Sequence, residues 1–154
     1  MKMIKIVRTD SDNPDFRQLV VLLDRELKDR DGEDHSFFAQ FNKIDKIKHA
    51  LVAYLKDVPC ACGAIKEYDN DTMEIKRMYV LQEERGKGIA GMILQELENW
   101  TKELNFKKCI LETGKRQPEA IRLYSKSGYQ VIPNYGQYEN VSNSICFEKI
   151  INQE

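Results

Sequence analysis

The sequence has few of the features that mark secreted, membrane-spanning or metal-binding proteins. Only four of its 154 residues are cysteine, none in a C-x-x-C pair, and neither histidine has a second His or a Cys at metal-ligand spacing. We therefore expect no metal. No apolar run approaches the ~18 residues that a membrane helix needs, and the N-terminus has no apolar signal region. These absences predict a cytoplasmic protein without a membrane partner, whose cysteines are buried thiols.

An excess of one charge is missing as well. The 24 Lys and Arg residues balance 25 Asp and Glu residues, which leaves a formal charge of −1. A nucleic-acid-binding domain usually carries a basic face, so we expect no nucleic-acid partner. A chain of 154 residues that is 42% hydrophobic and 32% charged is typical of one globular domain, here residues 1–154. The sequence leaves the oligomeric state open, a homodimer included.

Hydrophobic periodicity predicts a mixed α/β fold in the order β-α-α-β-β-β-α-β-α-β-β. Strands that alternate with helices in one part of the chain and follow one another in another part predict a mixed α/β sheet with an antiparallel half. The predicted strands lie near 3–7, 49–57, 60–68, 73–80, 107–112, 129–132 and 144–150, and the predicted helices at 15–28, 37–44, 89–104 and 118–126.

A glycine-containing loop carries the strongest chemical signal. The strand near 73–80 runs through E-E-R-G-K-G-I-A-G into an amphipathic helix. Gly86 and Gly88 permit close approach of a ligand, and the N–H groups at a helix start attract phosphate oxygens. Arg85 and Lys87 add positive charge. The glycines alone fit a tight connection equally well, and the letters G-x-G-x-x-G also spell a dinucleotide fingerprint, although L-Q-E-E-R separates them from the strand.

The motif combination resembles the GNAT superfamily of N-acetyltransferases. V-x-x-x-x-R-G-K-G-I-A is followed by a helix, a strand and E-A-I-R-L-Y-S-K-S-G-Y, and the similarity extends over about 51–150. The wording L-E-T-G-x-x-Q-P-E-A-I is similar to small, single-domain bacterial members. In this family a Q/R-x-x-G-x-G/A loop holds the pyrophosphate of acetyl-CoA. The resemblance therefore implies a GNAT-type fold, with a mixed, mostly antiparallel central sheet flanked by helices, and acetyl-CoA as cosubstrate.

The resemblance also implies roles for individual residues. Tyr124 corresponds to the general acid near the thioester sulfur, and Glu74 to the general base, which often acts through water. Gln117 replaces an Asn that contacts the cofactor. The remaining residues implied to bind acetyl-CoA lie along the strand before the loop and in the loop itself: Met78, Tyr79, Val80, Arg85, Gly86, Lys87, Gly88, Ile89, Ala90 and Gly91.

These residue types suit acetyl transfer to an amine. An alkylamine with a pKa near ~10.4 must lose a proton, which a carboxylate can accept, and a phenol can protonate the leaving thiolate. Simpler interpretations remain open: Tyr124 has the spacing of a core residue, and Glu74 could be a solvated strand residue. The loop 134–138 is either a surface turn or part of an acceptor pocket. Lys76 and Arg77 could neutralise an acceptor carboxylate.

The resulting expectation is an acetyl-CoA-dependent N-acetyltransferase that acts on the amine of a small molecule, such as an amino acid or related metabolite. We expect direct transfer, because no recognised motif positions a Cys as an acyl carrier. Two alternatives stay open. One is an enzyme that acetylates a protein N-terminus or a lysine, and the other is an acyl-CoA-binding sensor without turnover.

Overall fold

The computed structural model describes residues 3–31 and 46–152, and the predicted helix near 37–44 lies outside these ranges. The described residues form seven strands and three helices. They follow the order β1 (Ile4–Thr9), α1 (Pro14–Asp31), β2 (His49–Leu55), β3 (Val58–Glu67), β4 (Thr72–Val80), α2 (Ile89–Glu103), β5 (Lys108–Gly114), α3 (Pro118–Lys126), β6 (Gln130–Ile132) and β7 (Ser144–Ile150).

The strands form one sheet in the order β1-β2-β3-β4-β5-β7-β6. β2 is antiparallel to β1 and to β3, and β7 is antiparallel to β5 and to β6. β4 and β5 are parallel, with Thr72–Glu74 paired to Lys108–Ile110. A parallel pair needs a long crossover, which α2 supplies. The predicted mixed, mostly antiparallel sheet with flanking helices is confirmed.

The chain divides into two compact units, of which the first comprises Met1–Lys66 and Ile75–Leu97. Helix α1 packs on β2 through its apolar stripe. Gly63 allows the side chains of Ile93 and Met78 to pack directly on the backbone of β3. A Cβ on this residue would lie 2.7 Å from Cγ2 of Ile93 and 2.9 Å from Sδ of Met78. The buried core of this unit includes Phe16, Leu19, Val20, Ile47, Ala50, Val52, Cys62 and Ala64.

The second unit comprises Glu67–Glu74 and Glu98–Glu154, and aromatic rings fill its core. The Tyr124 ring centroid lies 5.8 Å from that of Tyr129 and 5.9 Å from that of Phe147. The Tyr129 hydroxyl donates to Glu98 Oε2 over 2.9 Å, and Lys149 Nζ donates to Glu98 Oε1 over 2.9 Å. This network satisfies the carboxylate of Glu98, which is only 5% exposed.

Several element boundaries differ by one to three residues from the sequence-based expectation, and two of these differences have a clear physical reason. Helix α1 extends about one turn beyond residue 28 and ends at Asp31. The basic side chains of Lys28 and Arg30 in its last turn stabilise this end by their interaction with the helix dipole. The hairpin between β2 and β3 turns at Lys56 and Asp57, whose φ angles of 50° and 65° are those of a two-residue type I′ turn. Val58 and Pro59 consequently begin β3 and do not belong to the turn.

Candidate active site

The loop between β4 and α2 forms an open backbone cradle in the first unit. Gly86 and Gly88 have φ angles of 80° and 82°, which residues other than glycine rarely adopt. A Cβ on Gly86, Gly88 or Gly91 would meet no heavy atom of the described chain within 4 Å. The amides at the start of α2 have no carbonyl four residues earlier in the helix to bond. The cradle, residues 86–91, therefore fits the anionic oxygens of a diphosphate.

The two cationic residues of the loop are both paired within the first unit. Arg85 Nε donates to Val80 O over 2.9 Å, and Nη2 donates to Glu26 Oε1 over 2.7 Å. The guanidinium also lies over the Tyr79 ring, 5.5 Å from its centroid. Lys87 Nζ pairs with Glu84. Because both cations have carboxylate partners, the backbone amides and the helix dipole supply much of the cradle's attraction for an anion.

Strand β4 is irregular just before the cradle. Arg77 has a φ of 62° in mid-strand, which interrupts the regular alternation of side chains before Met78, Tyr79 and Val80. The buried Cys62 thiol donates to the Arg77 carbonyl over 3.2 Å and so satisfies it. The Arg77 guanidinium lies 3.5 Å from Asp24 Oδ1. Since the chain itself supplies this carboxylate, we do not assign Arg77 to an acceptor.

Glu74 lies in the second unit, at the end of the pairing between β4 and β5. It is only 8% exposed, which contradicts the interpretation of a solvated strand residue. The Tyr135 hydroxyl donates to Glu74 Oε2 over 2.7 Å. Burial raises the pKa of Tyr135, and the negative charge of Glu74 raises it further, so the phenol stays protonated and remains a donor. The structure thus contains a buried carboxylate with a fixed partner.

Tyr124 lies in α3, and Gln117 is the residue immediately before that helix. Tyr124 is 6% exposed and packs on aromatic rings, so the core-packing role expected from its spacing is present. Burial, and secondarily Glu112, raises the pKa of Tyr124, which keeps its hydroxyl protonated at neutral pH. Gln117 precedes the helix, and its carbonyl accepts from the N–H groups of Ala120 and Ile121 over 3.1 Å. The side chain of Gln117 makes no capping hydrogen bond among the described residues.

Sequence reasoning did not identify the side chains that surround Glu74. Glu112 accepts a hydrogen bond from Ser144 Oγ over 2.6 Å. The register places Glu74 opposite Ile110, and Glu112 follows two residues later, so both carboxylates lie on one face of the sheet. Tyr135 is separated from Glu74 by 61 residues. No local pattern could indicate these contacts, because they depend on strand register.

Within 3–31 and 46–152, no three or more His, Cys, Asp or Glu residues are grouped so that they could hold a metal ion. All four cysteines are buried and free. In the same ranges, each helix is too short or too polar to cross a bilayer.

Comparisons with known proteins agree on one family. The family model "Acetyltransferase (GNAT) family" matches residues 13–129. An IAA acetyltransferase of Azospirillum brasilense is 30% identical over 134 residues, which cover 86% of this chain and 88% of that protein. A Klebsiella pneumoniae protein assigned to the acyl-CoA N-acyltransferases has a TM-score of 0.81 at 24% identity, covering 97% of this chain and 98% of that one. The PaiA N-acetyltransferase of Thermoplasma acidophilum, solved with coenzyme A, has a TM-score of 0.72 at 19% identity, covering 96% and 99%.

Proposed function

The chain belongs to the acetyltransferase (GNAT) family, and on this premise we propose that it transfers an acetyl group from acetyl-CoA to the amine of a small molecule. Its class, an acetyl-CoA-dependent acyltransferase, follows from the family. The acceptor and the residue roles are our proposal. The observation that carries the proposal is the buried carboxylate of Glu74, held by the hydroxyl of Tyr135.

The cradle would hold the diphosphate of acetyl-CoA. Two glycines with positive φ, open space above them and the amides of a helix start support this assignment. Met78, Tyr79 and Val80 would lie along the pantetheine arm, and Gln117 would be a further cofactor contact. When bound, acetyl-CoA supplies the activated acetyl group, and the chain's residues provide binding and proton transfer.

Glu74 would act as the general base. An ammonium group with a pKa near ~10.4 must lose a proton before it can attack a thioester, which costs about 4–5 kcal/mol at pH 7. A carboxylate can accept that proton directly or through a water molecule. Burial of Glu74 to 8% exposure favours a small acceptor, because a slender amine reaches such a group more easily than a folded protein surface.

Tyr124 would protonate the leaving sulfur. Its raised pKa means that the phenol retains its proton at neutral pH and can donate a hydrogen bond to a developing thiolate. The same shift makes complete proton transfer less favourable, so we assign Tyr124 first as a hydrogen-bond donor. We place the reaction in the cytoplasm, where the four free thiols would stay reduced.

Thiol release tests this proposal. The purified chain with acetyl-CoA should release free coenzyme A with at least one member of a panel of small amines, amino acids and polyamines. Glu74→Gln should lower kcat by about 10²–10⁴-fold, the range for loss of a general base. Glu67→Gln, at an exposed carboxylate of β3, is the matched control and should retain activity. Release with peptides alone would indicate a protein acetyltransferase, and calorimetric binding of acetyl-CoA without any release would indicate a sensor.

A further inference from the structure

Tyr135 approaches Glu74 from the segment between β6 and β7. Its hydroxyl is 2.7 Å from Glu74 Oε2, a short contact typical of a hydrogen bond to a carboxylate. The backbone of Glu74 is itself fixed, because it pairs with Ile110 in the parallel ladder between β4 and β5. The contact therefore joins a defined strand position to the loop 134–138, for which the sequence leaves a surface turn and part of an acceptor pocket both open.

Two further rings hold the Tyr135 ring in place. Its centroid lies 5.3 Å from that of Tyr68 at an interplanar angle of 78°, and 5.8 Å from that of Tyr138 at 89°. Both are edge-to-face arrangements, which aromatic pairs favour. Gly136 has a φ of 51°, and a Cβ there would lie 3.6 Å from the Tyr68 hydroxyl. The ring and the direction of its hydroxyl consequently have little freedom.

The backbone of the segment is anchored at both sides of Tyr135. Asn134 Nδ2 donates to Val141 O over 3.0 Å and to Ser144 O over 3.1 Å. The Tyr138 N–H donates to the Tyr135 carbonyl over 2.9 Å, which closes the short turn at Gly136–Tyr138. An anchored backbone and a packed ring are what a side chain needs if it is to orient another group.

We propose that Tyr135 is a positioning residue that holds the Glu74 carboxylate in the orientation in which it accepts the acceptor's proton. This inference rests on the proposed function, in which Glu74 is the base. The hydroxyl occupies one lone pair of Oε2 and limits rotation about the last side-chain torsion of Glu74. Tyr135 itself transfers no proton, because burial and Glu74 keep its pKa raised.

Tyr135→Phe removes the hydroxyl and keeps the ring. We expect kcat/KM for the acceptor to fall about 10- to 100-fold, the equivalent of one hydrogen bond to a charged group. The KM for acetyl-CoA should stay unchanged, and the acidic limb of the kcat/KM–pH profile should move to higher pH. Tyr68→Phe is the matched control, since it removes a hydroxyl from the same ring cluster but not from Glu74.

A double-mutant cycle separates positioning from a merely structural role. If Tyr135 acts through Glu74, Tyr135→Phe should have no further effect on kcat in a Glu74→Gln background. The inference would be overturned if the losses of kcat in Tyr135→Phe and Glu74→Gln multiplied in the double variant. It would also be overturned if Tyr135→Phe alone kept the wild-type pH profile and a kcat/KM within twofold of wild type. Either result would leave the proposed function intact. Loss of a cooperative thermal transition in Tyr135→Phe would also overturn it, because Tyr135 would then be a folding residue. An inactive wild-type chain would instead refute the proposed function, and the inference with it.

Discussion

The side chain of Arg85 is hydrogen-bonded to the main chain of Val80, with Nε donating to the carbonyl over 2.9 Å. The same guanidinium reaches Glu26 of α1 over 2.7 Å and lies over the Tyr79 ring. Arg85 thus ties the last residue of β4 to α1 at the point where the cradle begins. Direct contact of Arg85 with acetyl-CoA, as the family resemblance implies, stays a prediction, and the structure adds a second role.

Arg85→Lys should impair coenzyme A binding almost as much as Arg85→Ala. Lysine keeps the charge but lacks the planar group that can bond Val80 and Glu26 together. We expect the Kd for coenzyme A, measured by calorimetry, to rise about tenfold in both variants, which corresponds to ~1.4 kcal/mol.

Glu26→Gln tests whether the effect is indirect. This change removes the ion pair between Arg85 and Glu26. Glu26 itself is not among the residues that we assign to the cofactor. A Kd raised severalfold in Glu26→Gln would support the tying role of Arg85. If instead Glu26→Gln and Arg85→Lys both bind coenzyme A as wild type does while Arg85→Ala does not, Arg85 acts mainly through its charge.

Gly88→Ala should weaken coenzyme A binding more than it destabilises the fold. The φ of 82° imposes backbone strain on any other residue, of the order of 1–2 kcal/mol. The added methyl group would meet nothing in the described chain but would enter the space that we assign to the diphosphate. We expect a small drop in Tm and a rise of at least tenfold in the Kd for coenzyme A.

Gly128→Ala is the control for the strain alone. Gly128 has a φ of 92° in the turn after α3, and a Cβ there would lie 3.5 Å from Cε of Lys149. The variant should lose a similar amount of stability in a urea titration and keep the affinity for coenzyme A. Equal loss of affinity in Gly88→Ala and Gly128→Ala would contradict a ligand role for the open space above Gly88.

The sequence predicts most of the fold because its local signals are strong and consistent. Asn13 before Pro14 predicts a helix start, and Asn13 Oδ1 does accept from the Asp15 and Phe16 amides. Pro118 opens α3 at the predicted residue. The turn at Lys56 and Asp57 was less predictable, because neither residue is a Gly or Asn that would mark positive φ.

The candidate site is only partly predictable, since its parts depend on different information. The cradle is a contiguous motif, so its residues follow from the letters between 85 and 91. Tyr135 is 61 residues away in sequence from Glu74, and Glu26, the carboxylate partner of Arg85, is 59 residues away from it, so no periodicity connects either pair. Their identity depends on strand register and on the side of the sheet against which α1 packs, which become available only in three dimensions.

Buried thiols and phenols should make the stability of the chain fall at alkaline pH. Burial raises the pKa of Cys109 and Cys146 to about 11 from an ordinary 9.0. The folded state then binds these protons more tightly than the unfolded state. Their contribution is complete below pH 9 and is lost between pH 9 and 11. Burial likewise raises the pKa of six tyrosines, which are Tyr54, Tyr79, Tyr124, Tyr129, Tyr135 and Tyr138.

Tyr124→Phe isolates one of these protons. An unfolded tyrosine ionises near pH ~10, whereas the folded Tyr124 stays neutral above that pH. Ionisation in the unfolded state alone should therefore lower the free energy of unfolding by about 1.4 kcal/mol per pH unit above pH 10. We expect urea titrations between pH 8 and 11 to give a flatter alkaline decline for Tyr124→Phe than for wild type, with similar stability at pH 7. Identical slopes in wild type and Tyr124→Phe would show that Tyr124 ionises as readily in the folded chain as in the unfolded one, and would argue against a phenol that keeps its proton for the leaving sulfur.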